Sequence, residues 1–395
     1  MLRVGYMNSS THITKTLVRQ AYIVHTLSVP SPHQIVRSKK SMMSSKSANE
    51  YGFVNARIRA MKSRFLTVGM YESLLSSSSY DDFIKILSGT YYGQIISGGS
   101  TTSKPSPEDL ALLLSRDFAN VSTNLSRTLT GRIRDFTTTY LEMFMAESVK
   151  SIIRGIHIGL DKEEILRFAV PQSPEQEVLF ETLVDAGSVS KMIDFLPQWD
   201  LRVALLTKLP SYEAFDSPAP LEVAIEEWYL KRISESLKEF SNDESRRVLD
   251  ILETRVILRN ALTALRAVTL QLESHALEQS LIRFAKTREF TESLKNVNTW
   301  RDVITRLDTT RFREFAGRIA RLFEETEDLS DVELAIEDYI AQRVKQQLTA
   351  YPFHLGTIIG FFSLKFYEIR NIRSIAVGVE RGQSAEDIRK MITIW

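Results

Sequence analysis

Apolar residues recur along most of this chain at intervals of three and four. Leu249, Leu252 and Val256 are followed by Ala261, Ala264, Leu265 and Val268, the spacing that lines one face of an α-helix. From Leu221 to Tyr351 there is no proline and a single glycine, Gly317, so nothing in that stretch forbids helix. No run alternates in the manner of a strand. Loops are signalled at Ser97–Pro107, Val170–Pro174, Leu209–Pro220 and Tyr351–Pro352. The pattern predicts an all-α fold. The longest apolar stretch, Leu355 to Leu364, is closed by Lys365. It falls well short of the ~20 residues a membrane span needs, so it reads as a core helix or an interface.

The helical pattern repeats. Residues 148–165 align without gaps on residues 371–388. Val149, Ile152, Ile153 and Ile156 match Ile372, Ile375, Ala376 and Val379, one helical face. Lys150 matches Arg373, Gly155 matches Gly378, and Gly159 matches Gly382. A third copy lies midway: Asn260 to Val268 keeps the same apolar offsets and puts Arg266 in the register of Arg154, but lacks the glycines. Asn260 and Asn371 also share one register. The copies begin at Ser148, Asn260 and Asn371, an even period of about 111 residues, so three copies of one unit nearly fill the chain after residue 50. The predicted domains are three tandem similar helical units over 50–165, 166–280 and 281–395.

Local chemistry gives the unit a shape. Gly159 and Gly382 stand just past an apolar stripe, where a helix end favours a left-handed residue. Asp161 and Ser384 follow as N-caps, with Glu164 and Asp387 three residues on as in a capping box. Gly155 and Gly378 permit a close helix contact. Recurrence of Asn260 and Asn371 argues for a shared structural hydrogen bond rather than ligand recognition. The openings match more loosely: Asp82, Leu87 and Thr90 coincide with Asp302, Leu307 and Thr310 at an offset of 220. Trp199 to Tyr212 is the expected middle counterpart, with a slipped offset.

Composition narrows the function. The 395 residues allow two or three domains at ~150 residues each. With 50 basic and 49 acidic side chains the net charge is +1, far from the basic excess of a nucleic-acid binder. Zero cysteines exclude disulfides, thiolate metal sites and a cysteine nucleophile. Sixteen glycines and 11 prolines are few for this length and favour long helices. Residues 1–49 hold seven basic side chains and no acid, which leaves the remainder at 43 basic against 49 acidic, a net charge of −6. Rich in Ser and Thr, this segment is expected to be a disordered basic extension. It reads as an import peptide, a basic arm for anionic lipid, or a start read too early, with Met42 or Met43 the true beginning.

The search for site chemistry returns no catalytic, cofactor-binding or metal-binding residues. No phosphate loop, dinucleotide fingerprint, zinc-helix motif or nucleophile elbow is present. His157, His275 and His354 are far apart in sequence, and His157 reads as a surface position. Glu253 with Arg255 and Arg259, and Glu368 with Arg370 and Arg373, read as ion-pair networks, as does Glu147.

These residues resemble a family: the C subunit of archaeal A-type ATP synthases, and more distantly the d subunit of V-type ATPases. Tyr51 to Phe65 looks like its opening helix, Leu87 to Gly93 (LSGTYYG) like its first-unit signature, and Glu368 to Arg373 with Gly378 and Gly382 like its C-terminal signature. Two features depart from it: Ala146-Glu-Ser148 stands where the family shows a D-x-x-N-like pattern, and the basic extension has no counterpart. The resemblance implies a pseudo-threefold, funnel-like body. It would be a non-catalytic rotor subunit joining the membrane proteolipid ring to a central axle made of the D and F subunits. It would sit peripherally on the cytoplasmic side of the cell membrane, without cofactor or nucleic acid. The repeat signature, Arg154, Gly155, Gly159, Asn260, Arg266, Asn371, Arg373, Gly378 and Gly382, is then structural and a candidate interface, with Trp228, Tyr229 and Tyr367 as candidate anchors. Three alternatives stand beside it. One is a helical scaffold of another assembly, against which the long period counts, since solenoid repeats run to only about 20–45 residues. Another is an enzyme with an unrecognised carboxylate site. The third is an RNA-binding helical protein, which needs a basic face that the net charge of −6 after residue 49 counts against.

Overall fold

In the computed structural model, residues 50–99, 104–349 and 353–395 are described, and every regular element among them is a helix. The basic extension, and the loop expected at Tyr351–Pro352, lie outside the described residues. After α1 (50–62) the helices fall into three sets. The first is α2 (Val68–Leu75), α3 (Tyr80–Ser88), α4 (Tyr92–Gly99), α5 (Pro107–Ser126), α6 (Gly131–Ile158) and α7 (Lys162–Phe168). The second is α8 (Pro174–Asp185), α9 (Val189–Ile193), α10 (Trp199–Phe215), α11 (Ala219–Ser236), α12 (Asn242–Thr269) and α13 (Ser274–Ser280). The third is α14 (Arg288–Ser293), α15 (Trp300–Asp308), α16 (Arg313–Thr326), α17 (Leu329–Thr349), α18 (Leu355–Glu380) and α19 (Ala385–Arg389). Each set leads through a helix of 18 to 21 residues into one of 26 or 28 and closes on a short one.

The turn that ends each long helix is built the same way three times. Gly159, Gln271 and Gly382 all take a left-handed backbone, with φ of 73°, 54° and 67°. The next amide bonds back across the helix end: Leu160 N to Gly155 O at 3.0 Å, Leu272 N to Ala267 O at 2.9 Å, and Gln383 N to Gly378 O at 2.9 Å. This is the glycine-type helix stop. The glycine-free copy forms it too, because Gln271 accepts the strained conformation. A Cβ on Gly155 would sit 2.5 Å from Ile165 Cγ1, and one on Gly378 2.5 Å from Ile388 Cγ1. Those two glycines let the following short helix press its isoleucine onto the long one.

A second fixture recurs between residues 22 apart in the chain. Asn260 Nδ2 donates to Ile282 O at 2.8 Å while Ile282 N donates to Asn260 Oδ1 at 2.9 Å. Asn371 Nδ2 donates to Thr393 O at 2.6 Å while Thr393 N donates to Asn371 Oδ1 at 3.1 Å. In the first set Ser148 holds the position, and its Oγ accepts from Val170 N at 3.0 Å. Each pins the chain beyond the short helix back to the long one and satisfies buried backbone.

Several expectations are corrected. The middle counterpart of the openings is α9, not Trp199–Tyr212. Ser188 caps α9 as Ser79 caps α3 and Thr299 caps α15. Trp199 starts α10, which runs through Pro210 where a loop was expected. Pro210 cannot donate to the carbonyl one turn back at Leu206, and Leu206 is exposed, so water can serve that carbonyl. Asp161 sits at the N-cap of α7 but its side chain makes no cap bond, and Glu164 reaches Arg381 at 2.9 Å instead of closing a capping box. Ser384 does cap α19, accepting from Asp387 N at 3.1 Å.

Residues 51–395 form one compact unit. Its packing runs in a cycle. Long helix α6 packs on α11 of the second set, α12 packs on α17 of the third, and α18 packs back on α5 of the first. The apolar run at Leu355 is explained by its place: 20 of the 26 residues of α18 are buried. The apolar run ends after ten residues at Lys365, short of the ~20 a bilayer span needs, so it is core-facing chain. Among the described residues no helix is long and apolar enough to cross a membrane.

Candidate functional site

The three long helices bring matching positions together around a hollow of about 690 Å³. Ser151, Thr263 and Ser374 hold one register position in the three copies and line it from α6, α12 and α18. Glu147, Arg259 and Arg370, one turn earlier, do the same. The repeat signature thus divides by role. Arg154, Gly155, Arg266 and Arg373 line the hollow. Asn260 and Asn371 point into the packing behind it, and Gly159 and Gly382 turn the chain at the helix ends.

Two of its sides are held by ion pairs in the same register. Arg154 Nε and Nη2 donate to the two carboxylate oxygens of Glu222 at 2.6 and 2.7 Å, a forked pair between α6 and α11. Arg266 pairs with Glu333 between α12 and α17. Deeper, Lys150 Nζ lies 2.5 Å from Glu226 Oε1 and 2.9 Å from Glu147 Oε2. Arg255 joins both carboxylates, at 3.1 Å to Glu226. Arg259 bridges Glu226 at 3.4 Å and Glu337 at 3.3 Å. Burial alone would raise the Glu226 carboxyl, but Arg255 and Lys150 outweigh it and hold it down to about 2. Burial opposes ionisation of Glu147 as well, and Lys150, Arg255 and Arg259 keep it well below the ordinary range.

The α18 side is different. Arg373 is buried, 6% exposed, and its Nη1 donates to Ala169 O at 3.2 Å. Burial, with Arg370 and Arg167 nearby, pushes its guanidinium down to about 9. Arg370 is exposed beside Tyr367. The rim carries exposed apolar side chains: Ile158, Phe168, Leu270 and Leu272. Among the described residues no group of His, Asp and Glu side chains is placed to hold a metal ion.

Some sequence readings fail here. Glu253 pairs with Arg311 at 4.0 Å, not with Arg255 or Arg259. Glu368 accepts from Tyr92 OH at 2.5 Å and Leu66 N at 2.7 Å, away from Arg370 and Arg373. Residues two apart on a helix do not face each other; Glu253 turns to Arg311 in the turn after α15, and Glu368 to Tyr92 on α4 and the Leu66 amide before α2. His157 is half-buried against the ring of Tyr212, with Nδ1 3.2 Å from its hydroxyl. Trp228 and Tyr229 are buried in the core and present no anchor. The residues missed were Glu222, Glu226, Glu333 and Glu337. Their signal was present: LEVAIEEWYLKR at 221–232 recurs as VELAIEDYIAQR at 332–343.

Residues 54–391 match the profile of the family described as ATP synthase (C/AC39) subunit. The chain is similar to the A-type ATP synthase C subunit of Methanocaldococcus jannaschii, 21% identical over 87% of this chain and 86% of that one. It is similar to that of Haloferax volcanii, 22% identical over 89% of this chain and 100% of the relative. With the corresponding protein of Haloquadratum walsbyi it shares 24% identity over 86% of this chain and 96% of the relative. A match across nearly all of residues 51–395 makes the chain a member of the ATP synthase (C/AC39) subunit family.

Proposed function

We propose that this chain is a non-catalytic rotor subunit of an A-type or V-type ATP synthase. It would couple the membrane proteolipid ring to a central axle of the D and F subunits during ATP synthesis and ion transport. In this reading the three helix sets are tandem domains, 50–165, 166–280 and 281–395, arranged as a pseudo-threefold funnel whose hollow takes the axle. The opposite face rests on the ring, which makes the protein peripheral to the cell membrane on its cytoplasmic side.

One observation carries the reading: equivalent positions of three long helices line one hollow with an apolar rim. Such a body suits transmission of torque. Helices satisfy their own backbone bonds, and close-packed cores resist compression. The relatives' names place them in A-type ATP synthases, which favours this role over an unrelated scaffold. The test is retrieval of the tagged full-length chain from gently solubilised membranes. Proteolipid and axle proteins should accompany it, and the purified chain alone should hydrolyse no nucleotide. Retrieval of neither partner would contradict the proposal.

A further inference from the structure

The hollow is asymmetric in charge. Lys150, Arg154, Arg259 and Arg266 each meet a carboxylate. Arg373 occupies the register of Lys150 on the third long helix, and there the acceptor is missing from the fold. The helix packed on α6 supplies Glu226 to Lys150. The helix packed on α18 carries Ser115 one repeat period before Glu226, and Ser115 Oγ is turned to Ala111 O at 2.9 Å. Among the described residues, Arg373 Nε and Nη2 have no hydrogen-bond partner. Arg167, the other cation near it, is paired with Glu108. Arg370, one turn before Arg373, also lines the hollow and makes no ion pair among the described residues.

A buried guanidinium without an anion is strongly unfavourable, and a carboxylate is its best-matched partner because the planar fork donates to both oxygens. The exposed apolar rim calls for apolar residues on the flanks of the incoming segment. We propose that the hollow receives an Asp or Glu side chain of the axle, flanked by apolar residues, between Arg373 and Arg370 with the Ser374 hydroxyl beside them. This ion pair sets the depth and rotational position at which the axle seats. The inference rests on the axle reading of the hollow. It adds the chemistry by which one of three otherwise similar sides is told apart.

The test is calorimetric titration of the purified axle, the D and F subunits of the same organism, into the full chain and its Arg373→Met, Arg373→Lys and Arg370→Met variants. Thermal melts of each variant alone run beside it. The wild type should bind, and Arg373→Met should weaken binding by about 30-fold or more, as truncation of a buried charge pair does. Lys at 373 should recover part of the loss. The melting temperature of Arg373→Met should not fall, because the free chain loses a buried, unmatched charge. Binding of Arg373→Met within about twofold of wild type would overturn the inference and leave the axle reading intact. A fall in melting temperature of about 5 °C or more together with lost binding would make Arg373 a packing residue and overturn it as well. Absence of wild-type binding would overturn the axle reading itself. If Arg373→Met does not fold, Arg370→Met decides: weakened binding supports the pair, and unchanged binding removes it.

Discussion

Two sides of one hollow do opposite things with charge. Between α6, α11, α12 and α17, cations and carboxylates are matched across helix junctions, from the forked Arg154–Glu222 pair to the buried Lys150–Glu226 pair. On α18, Arg370 and Arg373 stand at the corresponding positions without carboxylates. Matched charges belong to the fold, since removing one member strands the others in a low-dielectric interior. The unmatched pair belongs to something the fold must meet. The contrast teaches that repeated helices can share a scaffold while their register positions divide between assembly and docking.

The matched side should fail hardest when broken. Glu226→Gln leaves Lys150 and Arg255 short of a carboxylate and should cost about 3–5 kcal/mol in denaturant unfolding. Equal stability of this variant and wild type would erase the contrast with Arg373. The same group sets an acid limit. Its folded pKa lies below the unfolded one, so its contribution is complete above the ordinary carboxylate range. That contribution should drain away as pH falls from about 4.5 towards about 2. Unfolding curves across that window should show the decline, and Glu226→Gln should flatten it.

The junction behind the hollow comes next. Gly378→Ala places a methyl against Ile388 and should destabilise by about 1–3 kcal/mol. Adding Ile388→Val should return part of that loss. A smaller effect of opposite sign is expected at the middle turn. Gln271 holds a left-handed backbone that Gly159 and Gly382 hold without strain. Gln271→Gly should therefore raise stability by about 0.5–1 kcal/mol. Smallest of all is the rim: Leu270→Ser, at an exposed position, should stay within about 0.5 kcal/mol of wild type.

Much of the fold was legible because its signals are local. The stripe from Leu249 to Val268 marks α12, and Gly159 and Gly382 mark where long helices stop. The middle turn was hidden because Gln271 does a glycine's work and sends no glycine signal. The loop expected across Pro210 was a helix: the proline frees one carbonyl, at Leu206, and that residue is exposed. The hollow was the harder part. Its carboxylates sit on α11 and α17, and pairing depends on which helices pack in the cycle, something helical spacing does not encode. The local pairs assigned to Glu253 and Glu368 failed for that reason. Even so, the recurrence of Glu222 and Glu226 as Glu333 and Glu337 lay in plain sight.

The central claim is that the hollow between the three long helices receives the axle. The chain has no cysteine, so Ser374→Cys places a unique thiol in the hollow, and Val178→Cys places one at an exposed site that does not line it. A bifunctional thiol-to-amine reagent of short reach, applied to the assembled complex, measures which proteins each thiol touches. The account predicts a cross-link from position 374 to the axle and none to the axle from position 178. A complex in which position 374 remains freely alkylated, with no axle adduct, would contradict it.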